Sequence, residues 1–319
     1  MSRRNVDVPA LVDSARAGSP RAVARLISLV EDAHPALREI MAALAPHTGH
    51  AHIIGITGSP GVGKSTSTNA LVGAFRARGK RIGVLAVDPS SPFSGGALLG
   101  DRVRMQDHAL DPEVYIRSMA SRGHLGGLSW STPQALRVLD AAGCEVILVE
   151  TVGVGQSEVE IVGLADTTIV LLAPGMGDGI QAAKAGILEI GDIFVVNKAD
   201  REGADATVRD IRHMVNLGER EDDPWRPPVL KTVAAKLEGV DEVMSAIDTH
   251  VEWMVERGEL AERRRRRAAD EIEAITVGAL RAKIGDLRAG HSLDDLAQRV
   301  VDGQSDPYAC SDLLLAQIT

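Results

Sequence analysis

The chain has 319 residues, a formal net charge of −9, and 45% hydrophobic but only 3% aromatic residues. The acidic balance excludes a general nucleic-acid binder, which needs a basic face to release counterions, and the shortage of aromatics requires a core of Ala, Val, Leu and Ile, which suits helices on a parallel sheet. Two distant cysteines, Cys144 and Cys310, with no CxxC or Cys/His cluster argue against structural zinc and for a reducing compartment, and the lack of an apolar run approaching about 18 residues argues against a membrane helix.

The N-terminus has two arginines but no apolar leader segment, so the expected location is cytoplasmic. Residues 7 to 47 carry apolar positions three and four apart, interrupted at Gly18-Ser19-Pro20 and Pro35, which predicts two or three short helices. From Ala51 the pattern changes to short continuous apolar runs separated by helix-length segments: "HIIGIT", "RIGVLAV", "EVYIRS", "EVILVE", "TTIVLLA", "DIFVVNK" and "PPVLKTV". Such runs predict parallel strands covered on both faces, hence an α/β fold with a mostly parallel sheet. After about residue 240 the strand signals stop, and the remainder reads as long helices broken near Gly258, Gly285 and Gly303. The expected organisation is an N-terminal helical extension (1–48), a nucleotide domain (49–245) and a C-terminal helical arm (246–319). The arginine run Arg263 to Arg267 has Glu262, Asp270, Glu271 and Glu273 nearby, which indicates a solvated helix face rather than a phosphate patch.

Between "HIIGIT" and a helical run lies Gly58-Ser59-Pro60-Gly61-Val62-Gly63-Lys64-Ser65, followed by Thr66, a match to G-x-x-x-x-G-K-[ST] in the strand-to-helix context that this motif requires. Glycines let backbone N–H groups turn inward around a phosphate. Lys64 is expected to bridge the terminal phosphates, Ser65 to offer its hydroxyl to Mg²⁺, and the helix to aim its positive end at the anion. The expected fold is therefore a P-loop NTPase, a three-layer α/β/α sandwich.

A phosphate loop does not distinguish the bases. At the end of a later apolar run stands Asn197-Lys198-Ala199-Asp200, the N-K-x-D pattern of guanine-binding domains. The Asp200 carboxylate can accept from the ring N–H and the amino group of guanine, a donor pair that adenine lacks, and rejection through an unsatisfied buried polar group reaches about 10⁴. Lys198 is expected along the base, Asn197 as the tie of the loop, and Val233-Ala234 as a wall for the base.

Three acids end strands or lie just past them: Asp88, Asp101 and Glu150. With Ser65 they form the expected oxygen site for Mg²⁺, and with Lys64 the expected catalytic set. Glu150 takes the place of the Walker B carboxylate. Gly153 sits where a backbone N–H could sense the γ-phosphate, yet Val154 follows where many small GTPases carry a water-orienting glutamine, and Gln156 comes two residues later. Slow hydrolysis by the isolated protein, accelerated by a partner, is the expectation.

Together "GSPGVGKST", "VDPSSPFSGGALLGDRVRM", "ETVGVGQSEVE" and "NKAD" resemble one family, the methylmalonyl-CoA mutase-associated GTPases, called MeaB or ArgK in bacteria and MMAA in mitochondria. The resemblance covers nearly the whole chain. It implies that Asp88, Asp101 and Glu150 surround Mg²⁺, that residues 90–104 and 150–158 are the two switches, and that a third segment relays nucleotide state through Asp178, Gln181 and Lys184. It implies a homodimer through the C-terminal helices. It also implies a GTP-hydrolysing chaperone that gates cofactor loading of adenosylcobalamin-dependent methylmalonyl-CoA mutase and protects or reactivates that enzyme. Two other readings are an ATP-dependent kinase of a periplasmic arginine and ornithine transport system, against which the guanine pattern speaks, and a metal-insertion GTPase of the same broad group, whose usual Cys/His motifs the sequence lacks.

Overall fold

The computed structural model describes residues 6–89, 106–108, 110–121, 131–151, 161, 163–175, 190–217, 225–289 and 292–318. Three helices come first: α1 (Val8–Arg16), α2 (Pro20–Glu31) and α3 (Leu37–Leu44). Asp7 and Ser19 cap the first two, accepting from Ala10 N–H and Ala22 N–H, and a proline occupies each first turn, where its missing N–H costs nothing.

Among the described residues seven strands follow: β1 (His52–Thr57), β2 (Ile82–Pro89), β3 (Val114–Ser121), β4 (Val146–Thr151), β5 (Thr167–Leu172), β6 (Ile193–Val196) and β7 (Val229–Lys231). They form one sheet in the order β3-β2-β4-β1-β5-β6-β7, every pair parallel. Among the described residues, helices α4 (Lys64–Ala77), α5 (Thr132–Ala141), α6 (Ala204–Leu217) and α7 (Val240–Arg257) pack with them.

Period-two alternation explains why both faces are apolar. On one face Leu85, Val87, Ile147 and Val149 join Leu26, Ile27, Val30, Ile40 and Leu44 of the N-terminal helices and Val138 and Leu139 of α5 in one buried cluster. On the other, Ile54, Ile56, Val84, Leu148 and Ile169 pack against Leu71, Val72 and Phe75 of α4 and Val243, Met244 and Ile247 of α7. A smaller cluster seats α6 on β5, β6 and β7 through Val208, Ile211 and Phe194. The layering is α/β/α, as the continuous apolar runs predict.

The chain divides into two compact units, Met1–Ala261 and Glu262–Thr319. The N-terminal helices thus share the core of the first. The second holds most of α8 (Glu259–Ala289), with α9 (Ser292–Val301) and α10 (Pro307–Ile318), where Leu296 and Cys310 are buried and the Cys310 thiol reaches Leu296 O. Gly258 ends α7 with φ 75° and Gly303 follows α9 with φ 66°, but Gly285 does not interrupt α8. An isolated glycine costs a helix only about 1 kcal/mol.

Candidate functional site

The carboxyl ends of β1, β4, β5 and β6 converge where the strand order turns outward from β1 on both sides, the usual ligand position in an open α/β sheet. The loop from Gly58 to Gly63 leaves β1 and enters α4 there. Gly58 (φ 140°) and Gly63 (φ 97°) hold backbone conformations that L side chains rarely adopt. A Cβ on Gly58 would lie 2.2 Å from Leu171 O, and one on Gly63 2.4 Å from Asn197 Nδ2. Glycine is required at both because β5 and the segment that follows β6 approach to contact distance.

Gly63 is the N-cap of α4 and no side chain caps the helix, so its positive end faces the loop. Lys64 is buried, and its ammonium donates to Gly58 O at 2.6 Å and Ser59 O at 3.2 Å. The next turn meets β4. Ser65 Oγ donates to Glu150 Oε1 at 2.6 Å, and Thr68 Oγ1 lies 3.0 Å from Glu150 Oε2. Glu150 is 4% exposed. The buried Glu150 carboxylate and the Ser65 hydroxyl beside it are hard oxygen donors of the kind that fits Mg²⁺.

The loop that follows β6 is latched to this one. Asn197, also buried, donates through Nδ2 to Val62 O at 2.9 Å, while its Oδ1 accepts from Thr232 Oγ1 at 3.2 Å and Ala234 N–H at 3.1 Å. One amide therefore fixes three segments. Lys198, at φ 57°, reaches Gly61 O at 2.6 Å, and Asp200 accepts from Lys236 at 3.2 Å with both side chains exposed.

Of the residues singled out by sequence, Gly58 to Thr66, Glu150, Asn197, Lys198, Asp200, Val233 and Ala234 gather at this end of the sheet. Thr66 points outward in the first turn of α4 and is exposed. The backbone of Asp88 pairs with Ala120 near the end of β2; its side chain lies outside the described residues, as do Asp101, Gly153, Val154, Gln156, Asp178, Gln181 and Lys184. Val233 N–H is taken by Glu238 O and Ala234 N–H by Asn197. Two residues escaped the sequence reading. Thr68 sits one helical turn from Lys64, a spacing visible in "KSTST", but nothing in the sequence says that it meets Glu150. Ala235 follows Ala234 in the turn Ala234–Lys236, exposed beside Asp200's partner Lys236, with no hydrogen bond to its N–H among the described residues.

A cavity of about 950 Å³ at the opposite end of the sheet is lined by His47, His50, His52, Asp140 and Glu145 among others. The ion pairs Arg78–Asp248 and Lys80–Glu145 occupy its walls, and no phosphate loop opens there. Chemistry therefore places the candidate site at the loop end and not at this cavity.

Residues 23–287 match the family model described as methylmalonyl Co-A mutase-associated GTPase MeaB. A Pyrococcus abyssi protein provisionally named a GTPase is 48% identical over 313 residues, covering 97% of this chain and 96% of its own. The mitochondrial methylmalonic aciduria type A homolog of Caenorhabditis elegans is 36% identical over 276 residues, covering 81% and 69%. The solved structure of a protein named LAO/AO transport system kinase superposes with a TM-score of 0.73 at 28% identity, covering 99% of both chains.

Proposed function

Because the chain belongs to the family of methylmalonyl-CoA mutase-associated GTPases, we propose that this GTPase is the chaperone of an adenosylcobalamin-dependent methylmalonyl-CoA mutase, using GTP to gate cofactor loading and to protect or reactivate that enzyme. The observation that carries the nucleotide part is the Asn197 clasp, which holds the phosphate loop and the base loop in one rigid frame.

In this reading the phosphates lie in the loop Gly58 to Gly63 and against the first turn of α4, Ser65 and Thr66 included. Lys64 leaves the carbonyls of Gly58 and Ser59 for the β- and γ-phosphate oxygens, neutralising the charge that builds as water attacks in line. Asp200 accepts from the guanine edge, the Lys198 stem lies along the ring, and Ala235 N–H donates to the base oxygen, with Val233 and Ala234 forming the frame behind it. Ser65 and Glu150, with Asp88 and Asp101, hold Mg²⁺, which supplies further charge neutralisation at the phosphates. Nucleotide state is passed on through the segments of Gly153, Gln156, Asp178, Gln181 and Lys184. A homodimer through the second unit is part of the proposal, supported by exposed Ile272, Ile275 and Leu280 on α8, and a cytoplasmic location completes it. Asp200 favours this over an ATP-dependent transport kinase, although the similar solved structure is of a protein named LAO/AO transport system kinase.

The test is GTP turnover by the purified protein with and without the mutase from the same source. Stimulation is expected. Turnover that the mutase leaves unchanged, with GTP still bound, would remove the chaperone role and keep the GTPase. Asp200→Asn should shift preference from guanine to xanthine nucleotides; unchanged selectivity would remove Asp200 as the base reader.

A further inference from the structure

Glu150 is held at both carboxylate oxygens. The β1/β4 register places it beside Ile56 at the end of β4, where Oε1 meets Ser65 and Oε2 meets Thr68. Those two hydroxyls stand three residues apart on one face of α4, a spacing that makes neighbours. Thr68 has no exposed surface, and its Oγ1 lies 3.0 Å from Lys64 O as well as 3.0 Å from the carboxylate. A hydroxyl has one proton to give. Given to an ionised carboxylate, it forms the stronger, charge-assisted bond.

The identity of the acid makes this contact matter. Glutamate carries one more side-chain torsion than aspartate, and the torsion at its carboxylate is broad rather than staggered. The bond from Ser65 fixes Oε1, and the bond from Thr68, one turn deeper, restrains Oε2 against rotation about that torsion. With Oε1 fixed, Ser65 donates its proton to Glu150 and is left with lone pairs to offer a cation.

We propose that Thr68 is a positioning residue: its hydroxyl fixes Oε2 of Glu150 so that Oε1 keeps the Ser65 oxygen turned towards the divalent cation accompanying the nucleotide phosphates. The inference rests on the GTP and Mg²⁺ reading above and names the part of α4 that makes a longer acid work there.

The test uses the full chain loaded with GDP and titrated with Mn²⁺, followed by electron paramagnetic resonance. Thr68→Val keeps the shape and removes the hydroxyl, and should weaken Mn²⁺ binding about tenfold, the low end for a residue orienting a metal ligand. GDP affinity in EDTA should stay within about twofold, because the contact acts through the metal site and not through the loop. Thr68→Ser restores the hydroxyl and should bind Mn²⁺ within about threefold of the parent. Glu150→Asp withdraws the carboxylate and should lose as much as Thr68→Val. The double variant should lose no more than Glu150→Asp, since two changes to one contact do not add. Wild-type Mn²⁺ affinity in Thr68→Val, a Thr68→Ser as impaired as Thr68→Val, or additive losses would each overturn the proposal. Should Thr68→Val fail to fold by circular dichroism, Thr68→Ser and Glu150→Asp still decide: weakened binding in the first, or unchanged binding in the second, overturns it. A parent protein that binds neither GDP nor Mn²⁺ takes the inference down with the nucleotide reading, a result distinct from normal binding that Thr68 does not affect.

Discussion

At the phosphate end of the site Lys64, Ser65, Thr68 and Glu150 are all buried and bonded to one another or to backbone carbonyls; at the base end Asp200 and Lys236 stand in solvent, Lys198 is half-buried, and Asn197 is enclosed with Thr232 and Ala234, which it bonds. The first region is inseparable from the core, since α4 and β4 are both core elements. The second is a surface feature hung from one buried amide. Substitutions at the phosphate end should therefore change stability and ligand binding together, while those at the base end should change selectivity with the fold intact.

The largest effect that separates the two belongs to Gly58. In Gly58→Ala the new methyl meets the backbone oxygen of Leu171 on a central strand, which cannot move aside, so the loss should be about 3 kcal/mol or more. That is on the order of a 10 °C drop in melting temperature for a domain of this size. Gly61 is the control: it also has a positive φ, 83°, but nothing lies within 4 Å of its missing Cβ, so Gly61→Ala should cost only about 1–2 kcal/mol of backbone strain. Thermal melts in which the two fall equally would show that the close approach to β5 is not the constraint.

Asn197→Ala comes next and tests the amide that joins the regions. It leaves Val62 O, Thr232 Oγ1 and Ala234 N–H without their partner, at about 2 kcal/mol for buried groups left unpaired. GDP and GTP should weaken by equal factors, about tenfold or more, because both loops lose alignment. Asp200→Ala should by contrast stay within about 0.5 kcal/mol of the parent in a urea titration and lose base selectivity instead. If Asn197→Ala altered selectivity while stability held, the clasp would belong to the base reader and not to the frame.

A smaller step is Lys236→Ala. Its pair with Asp200 is exposed on both sides, worth about 0.5 kcal/mol and weaker in salt, so guanine nucleotides should lose only about twofold, measured by fluorescent-nucleotide displacement at low and high salt. A loss well beyond about tenfold, insensitive to salt, would mean that Lys236 touches the nucleotide itself.

The same contrast explains what could be read from the sequence. Continuous apolar runs such as "VILVE" and "TTIVLLA" marked β4 and β5 because a strand buried on both faces has no polar side to hide. Gly58, Gly63, Lys64 and Asn197 were legible because each meets a demand that few side chains can: positive φ, an ammonium buried among the carbonyls of its own loop, an amide that donates and accepts. Thr68 was not, since one more threonine in "KSTST" is ordinary, and only the β1/β4 register brings Glu150 above it. The sequence order of the strands likewise says nothing of β4 lying between β1 and β2, because parallel neighbours are joined through helices and need not be consecutive. Gly285 misled for the opposite reason: a glycine ends a helix only where another contact helps it to, and α8 continues through it.

At the edge of the sheet, β3 offers the smallest and most specific test. Asp111 and Glu113 precede β3 and face Arg76 and Arg81, at 2.8 Å and 2.6 Å. The hydrogen bond from Arg81 holds the Glu113 carboxyl below the usual carboxylate range against the opposing effect of burial, and Arg76, aided by Glu113 N–H, does the same for Asp111. A depressed folded value means stability that is fully present above the unfolded value near 4.3 and lost as pH falls through the folded one. Glu113 is 38% exposed, so screening limits its share to about 0.5 kcal/mol. Glu113→Gln should therefore trail the parent by about that amount in urea unfolding at neutral pH and converge with it in acid, where the parent's carboxyl is protonated too. An offset that persisted unchanged into acid would assign the cost of the substitution to packing against Arg81 and not to charge.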